Sequence, residues 1–183
     1  MKYKLILVGF LWFVIILSPI VVKELTLRTG NEIILKVIPV DPRDLFRGDY
    51  VTLSYEISMI NLNIVPSDKQ YFARDDKAYV ILLKNDLGFI PTRIDSTVPT
   101  GETLFIMGIV QSAYNNSVNI KYGIESYFVP EGKGRIIERA RGKNLLVKAA
   151  VDKKGNAVIK ELLLDGKEFN DILKKKSFED EED

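Results

Sequence analysis

Between Pro39 and Asp49 the chain gathers most of the side chains on which chemistry could be built: Asp41, Arg43, Asp44, Arg47 and Asp49. Arg43 and Arg47 carry planar donor forks suited to carboxylate or phosphate groups, with Asp44 and Asp49 placed to orient them. The same alternation of charge also describes an internal ion-pair network that fixes a complicated loop, and this reading has the greater weight. Paired charges specify geometry without adding much stability. Tyr50 and Tyr55 follow, five apart on one strand-like run, so the period of 2 keeps them off the same face. A second group lies further on: Tyr122, Glu125, Tyr127 and Glu131. Two carboxylates beside a loop could move protons or hold a divalent cation. A satisfied strand end with a solvated loop explains them more simply, because no calcium-loop spacing is present.

Some chemistry is excluded by composition. The chain has no histidine and no cysteine. Thiol catalysis, disulfides, cysteine-type zinc sites and a Ser-His-Asp triad therefore fall away. The glycines of Glu131-Gly132-Lys133-Gly134 lack the phosphate-loop pattern. No catalytic residue, metal site or cofactor is expected. The 26 basic and 25 acidic residues leave a net charge of +1, so no basic field points to nucleic acid.

The elements that must position these groups begin with an anchor. Leu5 to Val22 carries no charge and, as a helix, spans about 27 Å, close to the ~30 Å hydrocarbon core. It exceeds the ~7–15 apolar residues of a cleaved signal peptide, and no small-residue cleavage pattern follows. Lys2 and Lys4 before the helix favour a cytoplasmic N-terminus, which puts the remainder outside. The expected organisation is 1–24 as N-terminus and transmembrane signal anchor, 25–169 as an extracytoplasmic β domain, and 170–183 as a charged, solvated tail.

Strand signals then recur. Leu25–Arg28 and Glu32–Val40 read as a hairpin around Thr29-Gly30-Asn31. Asp41-Pro42 and Gly48 punctuate the charged loop. Tyr50–Ile57 alternates as one half-buried strand, with Val51, Leu53, Tyr55 and Ile57 on one side. Residues 58–74 read as a connection. Lys77–Lys84 is apolar on both faces and predicts a central strand; Pro91 within Phe89–Ile94 predicts an edge. Thr103–Gln111 and Val118–Ile124 are further strands around an Asn115-Asn116 turn. That turn also fits a glycosylation sequon, although a turn explains it fully. Residues 135–141 predict a short helix ended by Gly142, and Leu145–Asp152 with Asn156–Leu164 a final hairpin. The expected fold is mainly β: one N-terminal transmembrane helix, then an all-β sandwich or barrel-like domain with one short helix.

Gly48 to Tyr55, GDYVTLSY, resembles the signature of the GDYXXLXY family of membrane-associated bacterial and archaeal proteins. Gly48, Asp49, Tyr50, Leu53 and Tyr55 occupy its fixed positions. Pro39–Arg47 is similar to that family's lead-in, and Tyr122–Gly134, YGIESYFVPEGKG, to its second typical block. The resemblance implies architecture and location rather than an activity. The leading reading is a non-enzymatic, membrane-anchored extracytoplasmic module that binds or assembles with another envelope protein; the resemblance implies an integral-membrane protein as that partner, beside the bilayer contact through residues 5–22. The competing class is a membrane-tethered Ser/Lys hydrolase. Type I signal peptidases also join an anchor to a β-rich domain, and Ser58-Met59 is faintly similar to their serine motif, without its following residues and in a different order.

Overall fold

The computed structural model describes residues 2–38, 50–129 and 145–173. Helix α1, Lys2–Thr29, is 28 residues long and includes Pro19. Every residue from Ile6 to Val22 is exposed. The helix does not stop at Val22. Leu25–Arg28, expected as a strand, forms its last turns. The cause is local: Thr26 and Thr29 return their hydroxyls to the Val22 and Leu25 carbonyls, and Arg28 pairs with Glu24 at 2.6 Å, so an already formed helix propagates. Helix extension thus replaces the expected first hairpin arm.

Gly30 alone separates α1 from strand β1, Asn31–Ile38. A Cβ here would lie 2.6 Å from the Thr26 carbonyl oxygen and 2.9 Å from that of Val151, which explains the glycine. Ile33, Leu35 and Val37 of β1 turn into the core. β1 pairs antiparallel with β10, Leu145–Val151, from Asn31 opposite Val151 to Lys36 opposite Leu146. β10 returns as β11, Ala157–Leu164, through the expected turn. There the Asp152 carboxylate accepts the amides of Lys154 and Asn156. Asp165 and Gly166, both at positive φ, lead into β12, Lys167–Glu168. The chain is then helical over 169–173, with Phe169 buried. The short helix expected at 135–141 lies outside the described residues.

The expected strand Tyr50–Ile57 is divided. β2, Tyr50–Thr52, and β3, Ser54–Tyr55, precede a 3₁₀ turn at Glu56–Ser58 and β4, Met59–Asn61. The buried series Val51, Leu53, Tyr55, Ile57 is retained. β3 joins the far end of β1, where Val37 faces Tyr55. β4 belongs to a second sheet with β5 (Lys77–Asn85), β6 (Gly88–Asp95), β7 (Phe105–Tyr114) and β8 (Ser117–Lys121), in the order β4-β8-β7-β5-β6. β5 is internal and β6, with Pro91, is at the edge, as the sequence predicts. A Cβ on Gly88 would come 2.7 Å from the Ile34 carbonyl oxygen, so β6 lies directly against β1. Together the sheets make a nearly closed, barrel-like wall around one apolar core. The strand expected over Val118–Ile124 ends at Lys121; Gly123, at positive φ, bends the chain into β9, Ser126–Phe128.

Candidate functional site

The two blocks marked out in the sequence meet. β2 and β9 form an antiparallel ribbon pairing Tyr50 with Phe128, Val51 with Tyr127 and Thr52 with Ser126. The ladder continues where the Leu53 amide donates to the Glu125 carbonyl at 2.7 Å. Beyond the ribbon, the Tyr55 hydroxyl donates to the Ile124 carbonyl, and the Tyr122 hydroxyl donates to the Ile57 carbonyl. Both rings are buried. Buried tyrosines need such partners, and strand alternation alone does not supply them. These bonds also account for the division of the Tyr50–Ile57 run. Its far end follows Tyr122, and the Ser58 hydroxyl accepts the Tyr55 amide at 3.1 Å.

Glu125 acts on its own turn. Its carboxylate oxygens accept the amides of Tyr122 and of Gly123, the latter at 3.0 Å. Burial, reinforced by the Glu125 charge, pushes both the Tyr55 and Tyr122 hydroxyls far above the usual tyrosine range. Both stay protonated donors at any physiological pH. The arrangement is a clasp rather than a proton-transfer centre.

Tyr127 is half-buried and reaches a different set of groups. Burial raises its hydroxyl, the Glu161 charge adds to this, and a hydrogen bond with Asn170 opposes it. Glu161 itself is raised, first by burial, then by a hydrogen bond and repulsion from Glu168; Lys148 pulls the other way. Sequence reasoning did not single out Glu161 and Glu168. The signal was present: Asp165-Gly166 is a two-residue hairpin turn, and with Leu163 opposite Glu168 it sets Glu161 diagonally beside Glu168.

Arg43, Asp44, Arg47, Gly48, Asp49 and Glu131 lie outside the described residues, and Tyr50 is described only as the first backbone position of β2. Among the described residues, no group of three or more acidic side chains is arranged to hold a metal ion. Ser58 is buried, and among the described residues no lysine bonds to its hydroxyl.

A helix long and apolar enough to cross a membrane, joined through one glycine to a barrel-like β domain whose two sequence blocks clasp each other, defines the class of protein. The model of the GDYXXLXY protein family matches residues 12–162, and the chain belongs to that family. No curated protein and no solved structure matches the chain.

Proposed function

We propose that this chain is a single-pass, membrane-anchored and non-enzymatic module whose β domain lies outside the cytoplasmic membrane and assembles with another integral-membrane protein of the envelope. The observation that carries this reading is the junction at Gly30. A helix with an apolar surface all round passes into β1 with no linker, α1 touches β10 and β11, and Thr26 is buried there. A domain held this way keeps one orientation to its helix, which suits a surface presented to a neighbour in the same membrane. The clasp supports the non-enzymatic half: its tyrosines and Glu125 hold main-chain groups. Ser58, engaged with the Tyr55 amide, weighs against a Ser/Lys hydrolase. Arg43, Asp44, Arg47 and Asp49 are the candidate contacts between β1 and β2; structural pairing within their loop is the competing role.

The test is purification of the full chain from native membranes in mild detergent. A specific integral-membrane protein should accompany it, and Arg43→Ala with Arg47→Ala should lose that protein while melting as the parent does. A lowered melting temperature with the partner retained would assign the loop to structure. Absence of any partner, or protease protection of the β domain in intact spheroplasts, would overturn the proposal.

A further inference from the structure

We infer that the end of the β domain remote from α1 carries a binding site for an uncharged saccharide. β7 fixes where that end is. Its Met107 amide donates to Gly155, in the turn that begins just after Val151, the partner of Asn31. From Met107 the strand runs about 23 Å further, at ~3.3 Å per residue, to Tyr114. The β7–β8 turn there, with segment 70–72 beside it, encloses an open cavity of about 290 Å³. That is the small end of the ~300–1,000 Å³ range of ligand sites, with room for one or two pyranose rings.

The lining gives the ligand class. Tyr71 and Tyr114 both line the cavity, yet they are 67% and 78% exposed, so packing does not explain either ring. Buried Phe72 forms part of the wall. Gln70, Asn115 and Asn116, each with a side-chain amide, line the same cavity. Asn115 and Asn116 occupy the turn at φ 48 and 57, and Asn116 is fixed twice: its side chain donates to Asn63 at 2.9 Å and its carbonyl accepts the Leu62 amide at 2.7 Å. The two asparagines therefore sit on a turn that is already formed, which reduces the ordering cost of binding.

Among the described residues no charged side chain lines the cavity, in a chain that is 28% charged. Lys69, next to Gln70, is paired with Asp76 at 2.7 Å. An anionic or phosphorylated ligand would find no counter-charge here, and a purely apolar one would cover the Gln70 and Asn115 amides without bonding them. A pyranose offers what the lining matches: a C–H face for an aromatic ring and hydroxyls for primary amides.

The experiment uses the full chain in a sugar-free detergent and four neutral probes: tetrasaccharides of glucose in α and β linkage, of mannose and of N-acetylglucosamine. Saturation-transfer NMR and calorimetry should detect at least one. Tyr71→Ala and Tyr114→Ala should each weaken it tenfold or more with an unchanged melting curve. Tyr114→Phe, which keeps the ring, should stay within about threefold of the parent. The inference fails if none of the four binds, if both alanine variants bind as the parent does, or if an acidic oligosaccharide or a neutral peptide binds while all four probes do not.

Discussion

Tyr55 and Tyr122 secure each other's segments: Tyr55 donates to the carbonyl of Ile124, two residues past Tyr122, and Tyr122 donates to that of Ile57, two residues past Tyr55. The clasp joins stretches far apart in sequence, so each hydroxyl removed leaves a buried carbonyl unpaired. Tyr55→Phe and Tyr122→Phe should each cost about 1–3 kcal/mol, and Tyr55→Ala about 3–5 kcal/mol by analogy with other aromatic truncations. Denaturant melts of the detergent-solubilised chain measure both. Losses below about 0.5 kcal/mol for the two phenylalanine variants would show that the clasp is not what holds the blocks together.

Gly30 is where helix and barrel meet most tightly. An added Cβ would press on two main-chain oxygens, Thr26 and Val151, and backbone yields less readily than a side-chain tip. Gly30→Ala should therefore cost about 1–3 kcal/mol, as overpacking does elsewhere. It should also expose the 29–31 junction to limited proteolysis while the barrel stays folded. Parent-like stability and protease resistance would mean that the junction has slack.

Side-chain period made much of this fold legible. Ile33, Leu35 and Val37, and again Val51, Leu53, Tyr55 and Ile57, alternate in sequence and are buried. The two-sided apolar run of β5 and the proline of β6 located an internal and an edge strand. What stayed hidden depends on partners distant in sequence. Nothing near Tyr50 says that β2 will pair with β9 while β3 pairs with β1, which divides one alternating run between two neighbours. The end of α1 was missed for a different reason: Thr26 and Thr29 suit a strand by propensity, and the bonds of Thr26, Arg28 and Thr29 to the preceding turn exist only once the helix is there. Of the candidate site, the two tyrosines were named in sequence; their mutual arrangement was not.

Glu161 provides a pH test. Burial and Glu168 raise its carboxyl above the ordinary range near ~4.3. In the window from there up to the raised value, the folded chain holds a proton that the unfolded chain has released, so stability falls as pH rises through it. Glu161→Gln removes that loss and keeps an amide able to donate to Glu168. The variant should melt higher than the parent at pH 7, and the gap should close towards pH 4. A variant that melts lower than the parent at pH 7, or a gap that ignores pH, would rule out Glu161 as the group responsible.

The apolar helix yields a prediction in which magnitudes decide the outcome. Between Leu5 and Val22 stand fourteen Leu, Ile, Phe and Val residues. At roughly −0.3 to −0.6 kcal/mol each they favour insertion by about 4–8 kcal/mol, an upper bound because the scale refers to the helix centre. One central arginine costs about 2.5–3.5 kcal/mol on the same scale. Ile15→Arg alone should therefore leave the chain in the membrane fraction after alkaline carbonate washing. Phe10→Arg combined with Ile15→Arg brings the balance close to zero, and a large share of the chain should appear in the wash. An N-terminus cleaved near Lys23 would release the parent as readily as the double variant, so intact Met1 on the carbonate-resistant parent is the accompanying measurement. Release of the parent itself would end the anchor reading.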